Sequence, residues 1–314
     1  MSIAAMRGDI ENQTENLEYI TRRLGNSSIR IPSHRQIIFT GSGDSWATAM
    51  FASELDNKMA LAEDPGELLA KIEQARRKRI VIISTSGRTR ANVELAKRAR
   101  THKIKTIAVT SDPTNLLAEM CDESMILDYR KASGLTSGTI SFTGSLLACA
   151  KLLRQLPSDL KYSSAPSYYP EEWARNVHVP VLGKCVLVGS GVDRAIAEYG
   201  ACKIQEVLGT TAIGAYPEQV GHALLFSLKR SRDAIVCVDT IHSTKTRTLY
   251  RELLTAGFRV FRLFLSGQGS LKRSLVACFH LQYLALLNAE RNGKKECAFL
   301  RDKALLELSN RLIY

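Results

Sequence analysis

The sequence predicts an α/β protein built from two doubly wound parallel sheets flanked by helices. Three observations carry this. Short β-branched runs alternate with longer helix-patterned runs, as in parallel strands joined by crossover helices. The pattern occurs twice: Ile37–Asp44 is echoed by Cys185–Gly191, with Gly189 standing 148 residues after Gly41. Arg79–Ser84 is echoed in the same way by Asp233–Val238, and Lys105–Val109 by Arg259–Leu263. The length of 314 residues suits about two domains, each able to bury a core of its own.

In chain order, residues 8–26 are expected as a leading helix. Strands follow at 36–40, 79–84, 105–110 and 124–129, with helices at 45–59, 90–102 and 141–157. Leu156–Glu172, with Pro157, Pro166 and Pro170, has the composition of a linker. The second half is expected to place strands at 184–189, 233–239 and 258–264 and helices at 192–208, 244–256 and 271–291, with a closing helix at 298–311. The expected division is an N-terminal helix within 1–30, a first domain over 31–160, and a second over 161–314 that includes a C-terminal helix and tail.

Composition narrows the function classes. Hydrophobic residues make up 45% and charged residues 24% of the chain, as in ordinary globular proteins. No segment approaches the roughly 18 uninterrupted apolar residues that span a bilayer. The polar N-terminus, Met1–Glu18, lacks a signal-peptide apolar core, so a cytoplasmic protein without membrane attachment is expected. The seven cysteines are scattered without a C-x-x-C pair, and Cys149, Cys185, Cys237 and Cys278 lie inside apolar runs, where reduced core thiols are expected. No Cys/His spacing matches a structural zinc site, and neither a metal nor an organic cofactor is expected. The net charge of +12 raises nucleic acid as a partner. The basic runs, such as Arg76–Arg79, lack aromatic interleaving and accompany no helix-turn-helix or zinc-finger pattern, so small anionic substrates are the expected partners instead.

Four motifs bear chemistry. Ile82-Ile83-Ser84-Thr85-Ser86-Gly87-Arg88-Thr89 is an apolar strand running into clustered hydroxyls at the start of a helix. Helix-terminal N–H groups, the positive dipole end and Ser/Thr hydroxyls together suit a phosphate; a hydroxyl-rich helix cap is the alternative. The loop lacks the Gly-Lys-Ser/Thr ending that a nucleotide triphosphate calls for. Gly41-Ser42-Gly43-Asp44-Ser45 also joins a strand to a helix, but Trp46 replaces the third glycine of a dinucleotide fingerprint. Gly43 and Ser45 therefore read as a turn approaching a sugar phosphate, or as a plain strand-to-helix turn. Lys203 and Glu206 share one helix face, either as a solvent-exposed ion pair or as a general base beside a cation that holds an anionic intermediate. His222 follows a glycine in a polar turn, where its ring can face a cleft; a structural histidine is the alternative.

Together these segments resemble the double sugar-isomerase (SIS) family, in particular the isomerase half of glucosamine-6-phosphate synthase and the archaeal glucosamine-6-phosphate deaminases. The likeness spans roughly 30–310. The family's Ser-x-Ser-Gly-x-Thr phosphate loop matches Ser84–Thr89, with Thr85 in place of a common Gln, and its Gly-Thr-Ser turn matches Gly43-Asp44-Ser45. Its Gly-Ala-Leu-Lys-Leu-Lys-Glu helix matches Gly200–Glu206, which puts the catalytic carboxylate on Glu206 and a substrate-contacting lysine on Lys203. The ring-opening histidine falls on His222, sixteen residues after Glu206, and a C-terminal lysine falls on Lys303. Gly134–Phe142 matches the substrate loop loosely. The resemblance implies two tandem SIS-type domains, a homodimer whose histidine serves the neighbouring chain, and aldose–ketose isomerisation or deamination of a hexose 6-phosphate or its 2-amino derivative. The synthase's glutaminase domain is expected to be missing, so ammonia would come from a separate subunit if it is used at all. The alternative is a non-catalytic phosphosugar-binding regulator.

Overall fold

The computed structural model describes residues 1–31, 36–56, 59–130, 132, 134–157, 169–267 and 269–314. Along the chain, α1 (Ser2–Glu11), α2 (Gln13–Gly25), β1 (Ile37–Gly41), α3 (Asp44–Leu55), β2 (Ala60–Ala62), α4 (Pro65–Ala70), β3 (Arg79–Ile83), α5 (Arg90–Thr101), β4 (Thr106–Thr110), α6 (Leu116–Met120), β5 (Glu123–Ile126) and α7 (Ile140–Leu152) come first. Then follow α8 (Pro170–Arg175), β6 (Lys184–Val188), α9 (Val192–Leu208), β7 (Thr211–Ala215), α10 (Pro217–His222), β8 (Ala234–Asp239), α11 (Thr244–Thr255), β9 (Arg259–Phe264), α12 (Ser270–Arg291), α13 (Ala298–Arg301) and α14 (Lys303–Ile313).

Two compact units result. One comprises Gln13–Lys131, Ile140–Lys161 and Ala304–Tyr314, the other Met1–Asn12, Ala132–Thr139 and Tyr162–Lys303. The first holds a parallel sheet ordered β2-β1-β3-β4-β5, the second a parallel sheet ordered β7-β6-β8-β9. Each central strand is an apolar run buried on both faces, as sheets covered by helices on either side require. In both sheets the chain reverses direction of winding at the second strand in the order, β1 or β6. The loops after β1 and β3, and those after β6 and β8, therefore meet at a switch point, where open α/β sheets bind ligands.

All seven expected strands are present, with β5 beginning one residue earlier and ending at Ile126. The additional strands β2 and β7 are short edges built largely from Ala, Thr and Gly, without the β-branched run that marks the others. The expected leading helix is two helices, α1 and α2: Asn12 closes α1 through its backbone N–H and side-chain Nδ2, both donated to the Gly8 carbonyl. The closing helix is broken at Asp302, whose extended backbone separates α13 from α14. Helix α7 stops at Leu152, short of the expected end, because Arg154 takes a left-handed conformation (φ 61°) and Gln155 N–H turns back to the Ala150 carbonyl. Most of the proline-bearing linker, residues 158–168, lies outside the described residues, as does the expected domain boundary at 160/161.

Cys149, Cys185, Cys237 and Cys278 are buried in the cores. Burial pushes the thiols of Cys185 and Cys237 up to about 12, which leaves them unreactive. Among the described residues no helix is long and apolar enough to cross a membrane.

Candidate functional site

Helix α9 carries a tightly bonded polar cluster. Gly200 brings this helix close to its neighbours: a Cβ there would lie 2.6 Å from Leu187 of β6 and 2.7 Å from Leu281 of α12. Tyr199 and Lys203, one turn apart, are fully buried as a consequence. A buried ammonium must be paired or pay for its lost hydration. Lys203 Nζ donates to Glu206 Oε2 at 2.6 Å and to Ser137 Oγ at 2.7 Å, and lies 5.2 Å from the Tyr199 ring centroid. Ser137 in turn donates to the same Glu206 oxygen at 2.6 Å. Tyr199 holds the Ser137 segment in place by donating to the Gly138 carbonyl at 2.9 Å while accepting from Gln282. Lys203 and Glu206 are thus not a solvent-exposed ion pair. One oxygen of the carboxylate is fixed by two donors, and the Glu206 side chain keeps 36% exposure, enough for a ligand to reach it. Such an arrangement holds a charged base in one orientation beside a fixed cation.

Ser137 belongs to none of the four motifs. The only sequence signal for it is its position in the Ser/Thr/Gly-rich stretch Gly134–Phe142.

The hydroxyl loop after β3 is a compact turn. Gly87 has φ 63°, and a Cβ there would overlap the Asn115 side chain, so only glycine fits. Its N–H donates to both the carbonyl and the Oγ of Ser84, and Ser84 Oγ lies 3.4 Å from Thr89 Oγ1. The Thr85 carbonyl is held from behind by Thr110 and Ser111. Ser86 Oγ accepts from Arg88 N–H. Among the described residues the backbone N–H groups of Thr85 and Ser86 have no acceptor, and Thr89 caps α5 without a side-chain bond. Free amides ahead of a 12-residue helix offer an anion both donors and a positive dipole end. Gly43 (φ 60°) and Ser45 form the partner turn at the head of α3. Within the same unit the C-terminal residues lie against the loop: the Arg88 guanidinium is 5.4 Å from the Tyr314 ring centroid, and Arg90 donates to the Tyr314 carbonyl at 3.3 Å.

The structure brings Lys203 and Glu206 together, and separately Ser84, Thr85, Ser86 and Thr89. His222 is set apart at the end of α10: its side chain is 74% exposed and its ion-pair partner is Glu218, at 3.5 Å. Lys303 opens α14 and is exposed. Among the described residues no group of three or more His, Cys, Asp or Glu side chains is placed to hold a metal ion.

Residues 31–153 match the family model of the SIS domain. The fold of nearly the whole chain recurs in solved structures at low identity. The C-terminal domain of glucosamine-fructose-6-phosphate aminotransferase from Francisella tularensis aligns with a TM-score of 0.74 at 17% identity, over 93% of this chain and 97% of that one. Glucosamine-6-phosphate deaminase from Thermotoga maritima aligns with a TM-score of 0.73 at 17% identity, over 92% and 95%. Tagatose-6-phosphate ketose/aldose isomerase from Escherichia coli aligns with a TM-score of 0.67 at 14% identity, over 94% and 91%. Among curated proteins no sequence matches the chain.

Proposed function

We propose, from a chain whose residues 31–153 are a SIS domain and whose fold is that of phosphosugar isomerases, that it interconverts an aldose and a ketose phosphate. The substrate is a hexose 6-phosphate or its 2-amino derivative, the latter taking up water and releasing ammonia as it isomerises. The observation that carries this is the Ser137–Lys203–Glu206 cluster, a partly open carboxylate held by a buried ammonium and a hydroxyl. In this reading Ser84, Thr85, Ser86 and Thr89, with the Gly43–Ser45 turn, grip the phosphate. His222 moves a proton between the ring oxygen and the C1 hydroxyl to open the ring. Glu206 takes the proton from one of the two carbons C1 and C2 and returns it to the other through an enediol. Lys203, helped by Lys303, balances the negative charge of that intermediate. The exposure of His222 suits a homodimer in which each chain lends its histidine to the other.

The test is turnover of fructose 6-phosphate, glucose 6-phosphate and glucosamine 6-phosphate in deuterated water. Deuterium is expected at the carbon that receives the proton. Glu206→Gln should lower turnover by about a thousandfold while leaving ligand binding intact. An unchanged rate removes Glu206 from the reaction.

A second reading, a phosphosugar-binding regulator without activity, is favoured by one observation: within its own chain His222 faces solvent beside Glu218. It predicts a thermal shift with sugar phosphates but neither isomerisation nor deuterium uptake.

A further inference from the structure

The two sheets present the same pair of loops, and the loops differ at one position that matters. Gly43 and Gly191, each at the head of a helix after the first central strand, share an unusual backbone (φ 60°, ψ −127° and φ 54°, ψ −133°). Ser45 and Asp193 each stand two residues further on. After the second central strand the match continues. Gly41 pairs with Ile83; Val188, just before Gly189, pairs with Cys237, just before Val238. Four residues beyond Ile83 and Val238 lie Gly87 and His242, both with positive φ (63° and 59°). By this register Thr85 and Ser86 correspond to Thr240 and Ile241.

In the first sheet the N–H groups of Thr85 and Ser86 have no acceptor among the described residues. In the second, their counterparts are occupied. Asp193 is fully buried, and its Oδ2 accepts from Thr240 N–H at 2.7 Å and Ile241 N–H at 3.1 Å, while Oδ1 accepts from the Thr240 hydroxyl.

We infer that the second sheet carries the same phosphate-binding cradle, closed by the chain's own Asp193 carboxylate in the place a phosphate would take. A cradle that clamps a built-in carboxylate through two backbone amides and a threonine hydroxyl supports an anion as the group that the unpartnered amides of the first loop are suited to hold. Burial raises the Asp193 carboxyl above the usual range, and the donors from Thr240 and Ile241 pull the other way by favouring its charged form. The inference also assigns a role to a difference between the sequence repeats: serine at the open site, aspartate at the closed one. It rests in part on the phosphate reading of the Ser84–Thr89 loop, and the experiment separates the two.

The measurement is the number of inorganic phosphate ions bound per full-length chain, by calorimetry and phosphorus NMR. The unaltered chain should bind one, and Asp193→Ser two. A folded Asp193→Ser variant with the stoichiometry of the unaltered chain overturns the inference. An unaltered chain that binds none, with Asp193→Ser binding one, sinks the reading of the first loop and supports the closure of the second. The reciprocal variant, Ser45→Asp, decides the matter should Asp193→Ser not fold. The new carboxylate should abolish phosphate binding and slow amide hydrogen exchange at Thr85 and Ser86 by at least tenfold. Exchange at those two amides as fast as in the unaltered, phosphate-free chain overturns the inference.

Discussion

Glu206 and His222 stand sixteen residues apart and are held in opposite ways. Glu206 is fixed by two donors, Lys203 of its own helix and Ser137, and the neighbours of that helix leave no room for a Cβ at Gly200. His222 ends a six-residue helix in solvent, 74% exposed, with one long contact to Glu218. A group fixed by hydrogen bonds to buried partners can serve the fold and chemistry at once, and the two roles cannot be separated by deletion alone. A group in solvent contributes almost nothing to folding, so any effect of removing it on turnover is functional.

The largest expected effect breaks the locked side from its two ends. Glu206→Ala leaves the Lys203 ammonium buried without its counter-charge and should cost about 3 kcal/mol of stability. Lys203→Met removes the buried charge, fills the space with an apolar stem, and leaves a carboxylate that water can reach; it should cost about 1 kcal/mol. Urea midpoints at constant slope measure both. Equal losses would mean that burial of Lys203 is not what makes the cluster rigid.

A second histidine sharpens the contrast between buried and exposed side chains. His280 on α12 is buried, its Nδ1 is 2.8 Å from the Val276 carbonyl, and Trp173 meets its ring edge-on. Burial lowers its pKa from 6.5 to about 4. The unfolded chain therefore takes up a proton near pH 6.5 that the folded chain refuses until about 4. Stability should fall as pH drops through that window, by about 3 kcal/mol in all. The measurable quantity is the difference between the chain and His280→Gln, whose profile should lack this component. Parallel profiles would show that His280 titrates normally.

Next in size is Ser137→Ala, which removes the hydroxyl standing between Lys203 and Glu206 and should cost about 1–2 kcal/mol. It should also lower turnover, because one of the two donors orienting the carboxylate is lost. A stability loss with unchanged turnover would make Ser137 structural only.

How much of this was legible in the sequence depended on distance along the chain. The central strands declared themselves through local β-branched runs, and the duplication through repeated local patterns. The edge strands β2 and β7 carried no such run. The residues of the hydroxyl loop, Ser84–Thr89, are consecutive, so their proximity followed from the sequence itself. Lys203 and Glu206 share a helix turn, so their pairing was legible, but the burial of Lys203 was not: it is imposed by Leu187, Leu281 and the segment at Ser137, 69 residues before Glu206. The same limit hid the role of Asp193, whose partners Thr240 and Ile241 lie 47 and 48 residues away. Local pattern located the pieces, and long-range packing decided which polar groups became fixed.

The smallest expected effect on stability tests the comparison most sharply. His222→Asn removes an exposed imidazole whose ion-pair partner is Glu218 and should change stability by less than about 0.5 kcal/mol. If His222 moves the ring-opening proton, turnover of a cyclic glucose 6-phosphate should fall by about a hundredfold. Turnover of a substrate analogue that cannot cyclise should be nearly unchanged, since it needs no ring opening. Equal loss on both substrates would place His222 in the proton transfer between carbons or in binding. No loss on either would leave it a surface residue and strengthen the reading of the chain as a regulator.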